Sequence, residues 1–266
     1  MKKRNNLFIF LAVSLLAIAS CSSQKSVQSN GKVETREFKV SDYSKIELQG
    51  GAKLEFEYEQ KKSAPRLSVT TDREIFEKME IRVSGGKLVI RPKERNARLS
   101  PTVFKVVGNS RHLDKVELTG GGVFSANSPL STRELELEIT GSGHIRLNEK
   151  VEADEVSAEI AGSGKFAAYK IQAREISCEI AGSGNMMLGG TARKGSFEIA
   201  GSGKIDASGC TLRSADAEIA GSGNIRVKAT EALDAEIAGS GLIEYRGNPS
   251  NISRSVSGSG TIRNAN

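Results

Sequence analysis

The chain has 266 residues, with 38 Lys and Arg against 32 Asp and Glu, 28 Gly, no Trp and 5% aromatic residues. Three of the bases, Lys2, Lys3 and Arg4, stand in the first 20 residues, and without them 35 bases face 32 acids. With no concentrated basic run and no aromatic interleaving to stack bases, nucleic acid is excluded as a partner.

Residues 1–20 read as a targeting segment, a basic start followed by a mostly apolar run over 7–19 that is too short to span a bilayer. The run ends in Ile18-Ala19-Ser20-Cys21, which resembles the lipobox of bacterial lipoproteins. On that resemblance Cys21 becomes the lipidated first residue and anchors the chain in the outer membrane; the alternative is an ordinary signal peptide followed by a chance cysteine. Residues 21–36 hold this cysteine and a polar stretch that reads as a flexible tether of roughly 20 Å root-mean-square reach. Surface-exported lipoproteins of some Gram-negative groups carry acids just after the lipidated cysteine. Ser22-Ser23-Gln24-Lys25 has none, so that resemblance favours the periplasmic side over surface exposure.

Residues 37–265 read as one domain, an amino-terminal cap over 37–109 and regular repeats over 110–265. Within the cap, the stretch from Ile46 to Phe56 fits the repeat pattern as a first, degenerate rung. Thr71 with Glu74 makes a capping box, and Ile75 and Met79 share a face, which predicts a short helix over 71–79. Ile81 to Val83 and Leu88 to Ile90, joined through Gly85-Gly86, predict a strand pair.

From there a motif close to Ala-Glu-Ile-Ala-Gly-Ser-Gly recurs. Its first glycine is Gly120, Gly141, Gly162, Gly182, Gly201, Gly221, Gly239 and Gly258, in steps of 18 to 21 residues. A fixed period near twenty is the signature of a solenoid. Two positions before the glycine stand Leu118, Ile139, Ile160, Ile180, Ile199, Ile219, Ile237 and Val256; four positions after it stand Phe124, Ile145, Phe166, Met186, Ile205, Ile225, Ile243 and Ile262. Apolar or small residues recur at every second position, the period of a strand. Both glycines of each copy fall on the inward parity and the serine between them points outward. The fold class is therefore all-β, a single-stranded β-helix with rungs of about 20 residues and an irregular N-terminal β cap. No amphipathic segment follows Ile262, so the last rung either offers a strand edge to a second molecule or frays.

The repeated Ile-Ala-Gly-Ser-Gly, the Tyr245-Arg246-Gly247-Asn248-Pro249 turn before the last copy and the lipoprotein signal together resemble the head GIN domain family, which carries an auto-transporter adhesin description. That resemblance implies a right-handed β-helix and brings no catalytic residue with it.

Candidate chemistry is sparse. Cys178 falls on the inward parity and Cys210 in a connecting turn, and a disulfide between them would need two adjacent rungs in favourable register. His112 and His144 have no nucleophile placed beside them and read as solvated. No metal-ligand spacing and no phosphate loop is present, so no cofactor and no metal site is expected. One outward column stands out: Glu117, Glu138, Glu159, Glu179, Glu198, Glu218 and Glu236 each precede the glycine by three positions. Stacked at about 4.8 Å, such neighbours repel by roughly 1 kcal/mol each in water. This column is either a solvated, salt-screened acidic face or an interaction face for a basic partner or weakly bound divalent cations.

Three functions remain. The first is a cell-envelope lipoprotein without catalysis, an adhesin or protein-interaction scaffold, with the membrane as partner through its lipid and a protein or glycan surface as ligand. The second is a periplasmic binding or sensor module. The third is a polysaccharide-acting β-helix enzyme, whose nearest set of groups is Arg146, Asp206, Arg226 and Glu244 in one outward column.

Overall fold

The computed structural model describes residues 26–29, 31–94 and 97–266; the targeting segment and Cys21 lie outside the described residues. The chain forms a β-solenoid of about 8 turns with rungs of roughly 20 residues. Its first part is β1 (Ser26–Gln28), β2 (Val33–Phe38), β3 (Lys45–Gly50), β4 (Leu54–Gln60), β5 (Arg66–Asp72), α1 (Arg73–Lys78), β6 (Met79–Ser84), β7 (Lys87–Pro92), β8 (Arg98–Ser100) and β9 (Phe104–Ser110). There follow β10 (Lys115–Gly120), β11 (Val123–Ala126), β12 (Leu130–Ser131), β13 (Glu134–Gly141), β14 (His144–Leu147), β15 (Val151–Gly162) and β16 (Lys165–Gly182). The last are β17 (Asn185–Gly201), β18 (Lys204–Gly221), β19 (Asn224–Gly239), β20 (Leu242–Arg246), β21 (Asn251–Gly258) and β22 (Thr261–Asn264).

The sequence columns are the register of the sheet. Leu48, Leu118, Ile139, Ile160, Ile180, Ile199, Ile219, Ile237 and Val256 pair in that order through successive parallel strands. All but Val256 are buried. The second column runs likewise from Phe56 through Phe124 to Ile243, all buried, and ends at half-buried Ile262. Burying each large side chain contributes roughly 1.5–3 kcal/mol. Each rung draws both this contact and its ladder hydrogen bonds from its neighbours, so no rung stands alone.

The two glycines of the corner have different tasks, which corrects the expectation that both face inward. Gly223 is buried, and a Cβ there would meet Ile199 Cγ2 of the preceding rung at 2.7 Å. Gly221 has φ +131, and its Cβ would stand 2.5 Å from the carbonyl oxygen of Gly201, the same position one rung earlier. The first glycine thus turns the wall through a conformation that L side chains rarely adopt, and it lets consecutive corners stack backbone on backbone.

The cap is built by a chain that doubles back. The first rung, β3 with β4, pairs on one side with β10 and β11 and on the other with β7 and β9. Beyond these lie antiparallel partners, β6 on β7 and β5 on β9, with β2 on β5. Gly85 and Gly86, both at positive φ, make the β6–β7 turn.

Three local expectations change. The tether expected over 21–36 already carries strands: β1 pairs with β8 and β2 with β5. In β2, Arg36 lies 4.3 Å over the Phe76 ring. Helix α1 lacks the expected capping box, because Thr71 Oγ1 donates to Val103 O at 2.8 Å and the N-cap is Asp72. The Asp72 carboxylate instead accepts from the Ser29 hydroxyl and from Thr102 N–H. Cys210 is a buried strand residue rather than part of a turn, since it pairs with Gly190 inside β18; both Cys178 and Cys210 are free thiols.

Candidate functional site

The glutamate column forms a continuous ladder along one wall. Glu47, Glu117, Glu138, Glu159, Glu179, Glu198, Glu218 and Glu236 are register partners in succession. The alternation that buries Leu118 to Ile237 on one side of the wall places this column on the other.

The ladder has two halves. At the cap end Lys87 Nζ lies between Glu47 and Glu117, at 2.8 and 2.7 Å, and Arg91 reaches Glu47 at 3.2 Å. Lys115, whose side chain is 19% exposed, contacts Glu117, Glu136 and Glu138 at 3.2, 3.1 and 2.7 Å. Burial pushes the Lys115 ammonium down, but these carboxylates outweigh it and hold the group above its ordinary value. Likewise burial would raise the Glu117 carboxyl, and Lys87 with Lys115 bring it below the usual range.

From Glu159 to Glu236 no carboxylate of the column is in an ion pair among the described residues. Glu198 feels this most: burial, then Glu179 and Glu218 above and below it, raise its carboxyl above the ordinary range. Beside it, Asp216 and Asp234 join Glu198, Glu218 and Glu236 around a shallow recess of ≈ 130 Å³. Lys194 Nζ stands 3.4 Å from Asp216 at its margin. No group of three His, Cys, Asp or Glu among the described residues is arranged to hold a metal ion.

The second outward column is closed on itself. Asp206, Arg226, Glu244 and Arg263 are register partners. Glu244 takes Arg226 Nε on one oxygen and Arg263 Nη2 on the other, both at 2.6 Å, and Arg226 also reaches Asp206 at 3.6 Å. Arg263 and then Arg226 hold the Glu244 carboxyl below its usual range, so it stays ionised and donates no proton. Arg146, expected with this set, stands in the same column three strands before Asp206, with Ala167 and Met187 between them, and has no carboxylate partner among the described residues. His144 is half-buried, and burial, then Lys165 and Arg146, lower its pKa. His112 is exposed and contributes its carbonyl to the Ser110 hydroxyl at 2.8 Å.

Sequence reasoning placed the acidic column but not Lys87 and Arg91, which arrive from β7 only because the cap doubles back beside β3. Lys115 was legible, two positions before Glu117 on the same parity.

The family model described as "Putative auto-transporter adhesin, head GIN domain" matches residues 42–168 and 136–249. No curated protein matches the sequence. Among solved structures, the chain is similar to one from Parabacteroides distasonis named a putative lipid binding protein, at 41% identity and TM-score 0.88 over 91% of this chain and 100% of that one. It is also similar to a structure from Parabacteroides merdae named a putative adhesin, at 29% identity and TM-score 0.85, over 91% and 99% of the two chains. A third, from Parabacteroides distasonis and likewise named a putative adhesin, has 29% identity and TM-score 0.85 over 91% and 100%.

Proposed function

This chain belongs to the head GIN domain family, and from that premise we propose that it is a cell-envelope lipoprotein, anchored through Cys21, that works as an adhesin-type interaction scaffold without catalysis. The observation that carries this is the ladder. Five consecutive glutamates with no ion pair among the described residues, Glu159, Glu179, Glu198, Glu218 and Glu236, keep like charges in register at a cost in repulsion that folding alone does not require. They suit a basic partner surface, whose cations would replace the missing counter-charges and be steered toward the wall. The paired state of Glu244 supports the absence of catalysis, because a carboxylate held ionised by two guanidiniums is a poor general acid.

Protease treatment of intact cells that make the full chain, with a periplasmic control protein, tests this. Loss of the domain from the cells, digested or shed, is expected. Complete protection would overturn the adhesin reading and leave the periplasmic binding module, which the acid-free Ser22-Ser23-Gln24-Lys25 favours.

A further inference from the structure

The cap contains a cleft that neither charged column uses. Its volume is ≈ 590 Å³, and it lies between the Gly50-Gly51 corner of the first rung and β8 with the segment that follows it. Buried Leu54, Met79 and Phe104 and half-buried Leu99 line it. Among the described residues its only charged lining groups are Lys53 and Arg98, both exposed, and no carboxylate lines it. Lys53 Nζ donates to Pro101 O at 2.8 Å, linking the corner to the segment after β8, and Arg98 is in no ion pair among the described residues. An apolar cleft whose described charges are both cationic is shaped for an amphiphile with an anionic head.

We propose that this cleft binds a long-chain fatty acid, its acyl chain against Leu54, Met79, Leu99 and Phe104 and its carboxylate on Arg98 and Lys53. The position in the chain agrees. Strand β1 runs along β8 in the register Ser26 with Arg98, Val27 with Leu99 and Gln28 with Ser100, so it lies beside the strand that lines the cleft. Ser26 is five positions after Cys21, a separation of at most about 17 Å. In this respect the inference rests on the proposed lipidation of Cys21, which holds the cleft near a membrane, the reservoir of acyl chains.

The test uses membranes of cells that make the full chain, incubated with a photoactivatable alkynyl palmitate, with crosslinks mapped by peptide so that the Cys21 peptide is scored apart. Labelling is expected on the peptides that contain Leu54 and Leu99 to Phe104. It should be competed by palmitate but not by a long-chain amine. Charge reversal at the rim, Lys53→Glu with Arg98→Glu, should cut it at least about tenfold, as for the loss of a charge-assisted hydrogen bond. An unchanged thermal transition of that variant keeps the comparison fair. Labelling spread over the outward walls, indifference to the charge reversal, or equal competition by the amine overturns the proposal. So does labelling that appears only in Cys21→Ser, which would mean that the anchor's own chain fills the cleft. If Cys21→Ser still sediments with membranes, the anchor reading fails while the cleft is judged on its own peptides.

Discussion

Replacing Gly221 by Ala isolates what stacks the rungs. The residue sits at φ +131, and its new Cβ would stand 2.5 Å from Gly201 O, the oxygen that accepts the Ser222 N–H at 2.8 Å. Holding a side chain in that backbone region costs roughly 1–3 kcal/mol. Forcing apart a packed contact adds roughly 1–3 kcal/mol, so the sum centres near 4 kcal/mol. For a domain of this size each kcal/mol moves the melting temperature by roughly 2–4 °C. Calorimetry should therefore show a fall of about 8–16 °C, and hydrogen exchange should speed first at Ser222 and the adjoining corners. The outward neighbour serves as control: Ser222→Ala is expected to stay within about 0.5 kcal/mol of the parent. A Gly221→Ala chain that melts within about 2 °C of the parent would refute the stacked-corner account.

Further outcomes follow from the same register. Ile219→Asp puts a charge into a fully buried column and should unfold the local rungs, whereas Glu218→Gln, one position away and outward, should leave the fold intact; circular dichroism on heating separates them. Lys115→Gln removes the cation shared by Glu117, Glu136 and Glu138 and should cost about 2 kcal/mol in denaturant unfolding. Glu198 gives a pH signature of known sign. Its folded pKa lies above the unfolded value of 4.5, so its charge weakens the fold above the folded pKa, and that penalty disappears once pH drops below the unfolded one. Glu198→Gln should thus raise the melting temperature at pH 7 and change nothing near pH 4. Added salt should shrink the difference at pH 7.

Period and parity made the regular rungs legible: one-residue columns such as Leu118 to Ile237 are a direct image of parallel register, because a slip of one would turn every side chain over. The glutamate ladder was legible for the same reason. The cap was not. Its spatial order puts β7 and β9 ahead of β3 and β4, and no local pattern in residues 61–113 announces that return. The capping-box signal at Thr71 found the helix but not its cap, because a long-range partner, Val103 O, takes the Thr71 hydroxyl. Cys210 looked like a turn because Ser208-Gly209 precedes it, yet the strand continues through Gly209 with a register shift against β19.

The anchor is the claim on which the functional account turns, and Cys21 decides it. Cells making the full chain or its Cys21→Ser variant would be fed alkynyl palmitate, fractionated and blotted. The account predicts label on the parent chain and its recovery with the outer membrane, with neither for Cys21→Ser. A variant that still sediments with the outer membrane, or a parent chain that takes up no label, would contradict it.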